Sequence, residues 1–62
     1  MHPLEHEIQA LNDAYEMGNI DRNERDYLLL EIRDIRAAQE CASNEQLARH
    51  IYQACNVAMA VI

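Results

Sequence analysis

Apolar residues recur along this chain at intervals of three and four, and two capping patterns divide the repeats into helices. The first repeat consists of Leu4, Ile8, Leu11 and Tyr15. Pro3 suits a first helical position, where its missing N–H is not needed. Gly18 supplies the left-handed residue that ends many helices. Together these features predict a first helix over about residues 3–17.

A second helix is predicted over about residues 22–42, because Asp21 and Glu24 have the spacing of a capping box. At about 100° per residue, one face of this helix carries Leu28, Ile32, Ile35, Ala38 and Ala42. The sides of that face are extended by Tyr27, Leu30, Ala37 and Cys41. Leu29 lies nearly opposite. The apolar arc covers more than half of the circumference, so we expect this helix to contact more than one neighbour.

Ser43 and Gln46 repeat the capping-box spacing and predict a third helix over about residues 44–60. Its apolar seam consists of Leu47, Ile51, Ala54, Ala58 and Val61. The sequence ends on Val61 and Ile62, and we expect this end to be buried. No glycine or proline separates the second and third helices, so one bent helix remains an alternative. The predicted fold is all-α: a single domain, residues 1–62, of two or three helices, completed by homo-oligomerisation.

Size and charge indicate what the surface contacts. A chain of this length buries only about 60% of the surface of its unfolded form, so we expect a second copy, most simply as a two-fold dimer. The formal charge is −6, with eight acids against two arginines in residues 1–31. That half repels phosphate backbones and anionic membranes, which argues against direct nucleic-acid or membrane binding and favours a basic protein partner. Two cysteines and no signal-like N-terminal segment predict a cytoplasmic protein.

Few residues suggest chemistry. His2 and His6 have the i, i+4 spacing of helical metal ligands, but further ligands at useful spacing are missing, so no metal site and no cofactor are predicted. Cys41 and His50 are formally a Cys–His nucleophile pair. The simpler interpretation makes Cys41 and Cys55 small buried hydrophobes. The sequence has no phosphate loop, no Ser-His-Asp order and no HExxH motif. We therefore predict a protein that is not an enzyme and has no catalytic residues.

The predicted interface follows the second and third helices. Glu31 and Asp34 interrupt the apolar arc and either pair locally or meet arginines of a partner chain. The interface residues are Leu28, Glu31, Ile32, Asp34, Ile35, Leu47, Ile51, Tyr52, Ala58, Val61 and Ile62. Tyr15 and Tyr27 flank the turn and are predicted to pack at the edge of the core around it. An interface role and a core role both remain open for Tyr52.

The pattern Leu11-x3-Tyr15-x2-Gly18-x-Ile20-Asp21-x2-Glu24 resembles the helical hairpin of short C-terminal (SHOCT) domains. Asp21 stands where that family usually has threonine, and Arg25 stands where an aromatic residue follows the glutamate. The resemblance covers about a third of the chain and implies a small oligomerising or tethering module. In size, acidity and helical character the chain is also similar in style to small phage-encoded proteins.

These observations predict a small acidic module that self-associates and binds a protein partner as an adaptor, assembly factor or inhibitor. Two alternatives remain. In the first, the carboxylates mimic nucleic acid and inhibit a host DNA- or RNA-binding protein. In the second, the protein is a structural component of a phage particle.

Overall fold

In the computed structural model, which describes residues 2–62, the chain consists of helices joined by short turns. These are α1 (Pro3–Glu16), α2 (Arg22–Glu31), a π-helical segment (Ile32–Arg36), α3 (Ala37–Glu40) and α4 (Glu45–Met59). Since α2, the π segment and α3 follow one another without a break, they form one long rod, which we call the second rod. The first and third rods are α1 and α4, and each packs against the second rod and against the other. The predicted all-α architecture is confirmed. The molecule measures 35 × 19 × 16 Å.

The turn between α1 and α2 is fixed by backbone geometry and one side-chain cap. Gly18 has a φ of +78°, in the left-handed region. The N–H of Asn19 donates to the carbonyl of Ala14 at 2.9 Å, which together with Gly18 makes a Schellman-type helix end. Asp21 Oδ1 then accepts the N–H of Glu24 at 2.8 Å and caps α2. The predicted glycine stop and aspartate cap are therefore both present.

The second rod and α4 are separate helices, because residues 41–43 form a turn and Asn44 is extended. Asn44 Oδ1 accepts the N–H of Leu47 at 3.1 Å. The prediction of Ser43 as the cap is thus wrong by one residue. Asparagine is as good an N-cap as serine, and here it is Asn44 that adopts the extended backbone a cap requires. The turn also shortens the second helix, which ends at Glu40 rather than near residue 42.

The core lies on the line where the three rods meet. Its buried apolar members are Leu4, Ile8, Leu29, Ile32, Ala37, Cys41, Ile51, Cys55 and Ala58. Three residues predicted for an intermolecular interface, Ile32, Ile51 and Ala58, belong to this set. The chain covers them itself, so they contribute to its own folding and are not accessible to a partner in this arrangement. Leu47, also predicted there, is half-buried against the same core.

The inward face of the second rod differs from the predicted one. Its buried positions are Arg25, Leu29, Ile32, Ala37 and Cys41, with a five-residue step between Ile32 and Ala37. At that step the Ala37 N–H donates to the Ile32 carbonyl, five residues back. A π turn holds one extra residue, so the face beyond it moves forward by one position. The predicted face is therefore wrong beyond Ile32, where Ile35, Ala38 and Ala42 are exposed. It is also wrong before the π turn, because Arg25 takes an inward position and Leu29, four residues later, is fully buried while Leu28 is exposed.

Candidate protein-binding surfaces

The side of the second rod that points away from the core carries large exposed apolar side chains. Tyr27 is 69%, Ile35 52% and Leu30 38% exposed. Together with Glu31 and Asp34 they line a shallow groove, which we call the outer α2 face. A cluster of exposed apolar side chains bordered by charged ones is typical of a protein-binding surface.

A second groove, of about 320 Å³, runs beside this face between α1 and the π segment. Its lining consists of Glu7, Ala10, Leu11, Leu28, Glu31, Ile32 and Arg36. Arg36 Nη1 donates to Glu7 Oε1 at 2.7 Å, which ties α1 to the π segment, and its Nε donates to Glu40 Oε2 at 2.9 Å. Glu31 borders both grooves and forms no ion pair within residues 2–62. This carboxylate is therefore free to bind a cation from another molecule.

Asp34 is held by its own chain. Arg33 donates to both of its oxygens, at 2.7 and 3.2 Å, and these hydrogen bonds lower the pKa of Asp34. The same guanidinium reaches α4, where it lies 5.0 Å from the ring centre of Tyr52 and donates to Asn56 Oδ1 at 2.9 Å. Local pairing, one of the two interpretations left open by the sequence, is thus what Asp34 does. Pairing with a partner stays a prediction for Glu31.

A third groove lies between α1 and α4, and we call it the α1/α4 groove. Its lining consists of Asn12, His50, Gln53, Ala54, Val57, Ala58 and Val61. Val57 is 69% and Val61 44% exposed. Asn12 Oδ1 is screened from solvent and accepts no hydrogen bond from the described residues. At the rim, His50 Nε2 lies 3.5 Å from Glu5 Oε2.

Arg25 joins three parts of the molecule at the end of the bundle that holds the hairpin turn. Its side chain is fully buried, with the guanidinium 4.2 Å from the ring centre of Tyr15. Nε donates to Asp26 Oδ1 at 3.0 Å, and Nη2 donates to the carbonyl of Met59 at 3.3 Å. Nη1 has no partner among the described residues. Arg25 thus packs where the SHOCT pattern has an aromatic residue. Tyr27, predicted to pack there, points outward because Arg25 and Leu29 take the inward positions.

The structure places Cys41 and His50 beside different partners. Cys41 Sγ lies 3.9 Å from His2 Nε2, while His50 faces Glu5, so the Cys41–His50 pair considered from the sequence is not formed. His2 Nδ1 accepts the N–H of Leu4 at 3.0 Å and caps α1. Both cysteines are buried, as predicted, and burial raises the pKa of the Cys55 thiol to about 11. In residues 2–62 no group of three His, Cys, Asp or Glu side chains is placed to hold a metal ion.

The predicted interface residues that remain accessible fall on separate surfaces. Glu31, Asp34 and Ile35 lie on the outer α2 face, with Leu28 at its edge, 37% exposed. Val61 lines the α1/α4 groove. Tyr52 is 46% exposed beside Arg33, and Ile62 is 87% exposed. The chain alone thus leaves Val61 and Ile62 exposed, and burial of this end stays a prediction.

Sequence reasoning missed three exposed residues that help to form these surfaces: Tyr27, Leu30 and Val57. For Tyr27 and Leu30 the available signal was the charge of their neighbours, since both lie near the carboxylates that interrupt the apolar arc. Val57 has no charged neighbour in the sequence that could have indicated it. Comparison with family models, with curated proteins and with solved structures finds no match to this chain. The SHOCT resemblance therefore stays a prediction. Among the described helices, none combines the length and apolar character needed to cross a bilayer.

Proposed function

We propose that this protein is a protein–protein interaction module that binds a basic, amphipathic segment of a partner on its outer α2 face and also self-associates. The observation that supports partner binding is the exposure of Tyr27, Leu30 and Ile35 beside the carboxylate of Glu31, which forms no ion pair within residues 2–62. A module of this kind acts as an adaptor, an assembly factor or an inhibitor, depending on what it holds.

The spacing of the exposed residues suits a helical partner. Tyr27, Leu30 or Glu31, and Asp34 or Ile35 follow one another at the three- and four-residue intervals by which one helix packs along another. Burial of the apolar side chains supplies most of the binding free energy, while Glu31 selects a lysine or arginine. The adjoining π segment supports this choice of surface, because π turns occur frequently at functional sites.

The proposal is tested by the proteins that the immobilised chain retains from an extract of its host. We expect a specific set of proteins to be lost with Ile35→Glu and with Glu31→Lys. Two matched variants serve as controls and should retain that set. Gln46→Glu adds one negative charge at an exposed position on α4, and Glu16→Lys reverses an exposed charge on α1 beside the hairpin turn. If Ile35→Glu and Glu31→Lys retain the same proteins as the wild type, the proposal is contradicted.

A second candidate is an acidic mimic of nucleic acid. Asp13, Glu16 and Glu24 surround the hairpin turn and form no ion pair within residues 2–62, so their charges are not neutralised by the chain. A DNA- or RNA-binding groove recognises such charges in place of phosphates. This candidate predicts that Glu16→Lys weakens binding as much as Glu31→Lys does, that added DNA competes, and that binding weakens steeply with salt. The same pair of variants therefore separates the two functions.

A further inference from the structure

The groove between α1 and the π segment, which we call the α1/π groove, combines an apolar lining with a free negative charge. Leu11, Leu28 and Ile32 contribute the large apolar side chains of this lining. Glu31 stands where the groove borders the outer α2 face, and it forms no ion pair within residues 2–62. The volume of about 320 Å³ lies near the lower end of the range for pockets that hold a small ligand. The groove therefore has room for one long side chain.

The charges around the α1/π groove sum to a negative value. Arg36 contributes one positive charge, but its guanidinium already lies 2.7 Å from the carboxylate of Glu7 and 2.9 Å from that of Glu40. With Glu31 included, three carboxylates accompany one guanidinium. A cation that enters the groove is therefore attracted, and it displaces no existing ion pair because the carboxylate of Glu31 is not engaged by the described residues.

The positive charges of this chain are already engaged, which bears on where such a cation comes from. The sequence contains no lysine, and each of its five arginines lies 3.7 Å or less from a carboxylate of the same chain. The pairs are Arg22 and Arg25 with Asp26, Arg33 with Asp34, Arg36 with Glu7 and Glu40, and Arg49 with Glu45. A second copy would have to break one of these pairs to supply a guanidinium. A different, basic molecule therefore fits the groove better than a second copy does.

Between the two long cationic side chains of proteins, arginine suits this groove better than lysine. A guanidinium is more weakly hydrated than an ammonium group, so it loses less when it leaves water for a largely apolar groove. It also donates to both oxygens of one carboxylate at once, which a lysine cannot do in a planar geometry. The alkyl stem contacts the apolar lining while the charged head remains at the border, where Glu31 stands.

We propose that the α1/π groove receives an arginine side chain of the partner, with its alkyl stem against Leu11, Leu28 and Ile32 and its guanidinium on the carboxylate of Glu31. This inference rests on the proposed function, since it places one anchor residue of the partner segment that binds the outer α2 face. It also makes α1 part of the recognition surface. The partner is then selected by a correctly placed arginine and not by its total charge alone.

The groove is tested with butylguanidinium, which matches an arginine side chain together with its Cα, in a methyl NMR titration at constant ionic strength. We expect it to shift the methyl signals of Leu11, Leu28 and Ile32. Butylurea, its uncharged analogue, should bind about fivefold more weakly, and butylammonium should bind less well than butylguanidinium. Glu31→Gln should weaken butylguanidinium binding about fivefold. Glu16→Gln removes an exposed carboxylate outside the groove and should leave the binding unchanged.

A second experiment tests whether the partner uses the groove. Ala10 is exposed and lines the groove from α1. Ala10→Arg supplies a guanidinium from the chain itself, so it should abolish both butylguanidinium binding and the retention of host proteins. Gln9→Arg adds the same charge at the adjacent exposed position, outside the lining, and should preserve both. Circular dichroism establishes that each variant is helical.

The cation site is overturned if butylurea binds as well as butylguanidinium, or if Glu31→Gln binds butylguanidinium like the wild type. The arginine anchor is overturned if Ala10→Arg retains the same host proteins as the wild type. Failure of the proposed function gives a different result, because Ile35→Glu would then retain the wild-type set of proteins while butylguanidinium still shifted the methyl signals of the groove.

Discussion

Replacing Arg25 by methionine should leave the free energy of unfolding within about 1 kcal/mol of the wild type, although Arg25 is fully buried and makes three kinds of contact. Methionine fills a similar volume with flexible apolar atoms. Its sulfur also makes favourable contact with an aromatic ring, here that of Tyr15. The reasoning depends on how much stability the contacts of Arg25 contribute and how much the burial of its charge removes.

On the favourable side, stacking of the guanidinium on Tyr15 contributes about 0.5–2 kcal/mol. The long hydrogen bond to the carbonyl of Met59 also places a cation at the C-terminal end of α4, which has no basic residue in its last turn. Together these two effects contribute about 1 kcal/mol or less. On the unfavourable side, burial of the guanidinium costs several kcal/mol, which the ion pair with Asp26 at 3.0 Å largely offsets. Nη1, which has no partner among the described residues, removes about 1–3 kcal/mol more. These contributions nearly cancel. In Arg25→Met the carboxylate of Asp26 still has a neighbouring cation, because Arg22 Nε lies 3.7 Å from Asp26 Oδ2.

Removing Asp26 instead should be much more harmful. Asp26→Ala leaves the guanidinium of Arg25 buried without its carboxylate, which typically destabilises a protein by about 3 kcal/mol. In the double variant Arg25→Met, Asp26→Ala, most of this loss should disappear, because the uncompensated charge is then absent.

Urea unfolding followed by far-ultraviolet circular dichroism measures these differences at one protein concentration. The expected order of stability is wild type and Arg25→Met together, then the double variant, then Asp26→Ala. If Arg25→Met loses as much stability as Asp26→Ala, the buried cation is a net stabilising element, and our estimate of its desolvation is wrong.

Three further predictions concern single side chains. Burial raises the pKa of Cys55 from an ordinary 9.0 to about 11. The thiol of the unfolded chain therefore loses its proton at lower pH than that of the folded chain, and the free energy of unfolding should fall by up to roughly 2–3 kcal/mol as the pH rises through that window. Urea titrations at alkaline pH should show this fall in Cys41→Ala but not in Cys55→Ala. Gly18→Ala should destabilise by about 1 kcal/mol because of the positive φ, although a Cβ there meets no atom within 4 Å; thermal unfolding beside wild type is the check, and an unchanged midpoint would contradict it. Asn44→Ala should lose about 1 kcal/mol of cap stabilisation, and equal loss in Ser43→Ala would show that the cap is misassigned.

The first helix and the hairpin turn were predictable because their signals are local. Leu4 and Ile8 are buried and Leu11 is half-buried, as an unbroken α-helix of that pattern requires. Gly18 and Asp21 act through backbone positions within three residues of themselves. Such features depend little on the rest of the fold, so residue type and spacing are sufficient to locate them.

The second rod was not predictable in the same way, for two physical reasons. A face drawn at a constant angle per residue fails beyond Ile32, because the π segment inserts one residue and rotates everything after it. The inward side also begins with Arg25, and a charged residue is normally assigned to solvent unless a partner is known. Its partners, Tyr15 and Met59, come from α1 and α4, and only the assembled bundle brings them close.

The candidate surfaces were predicted in part, and for related reasons. Glu31 stood out because it interrupts an apolar run, and it does lie on the outer α2 face. Ile51 and Ala58 were assigned to an interface because an apolar seam looks the same whether its own chain or a second copy covers it. Val57 was overlooked since it lies beside that seam, at a position whose exposure depends on how α4 is rotated against α1.

The wide turn at Ile32–Arg36 has a consequence for how this chain tolerates changes in length. A helix with a surplus residue already looped into one turn can lose that residue by tightening to ordinary α geometry, at the expense of rotating its two ends relative to each other. Deletions near this point would therefore turn Tyr27 and Leu30 relative to Cys41 without breaking the rod. Length variants of this segment would thus be expected to alter which side chains face outward while the helices themselves persist.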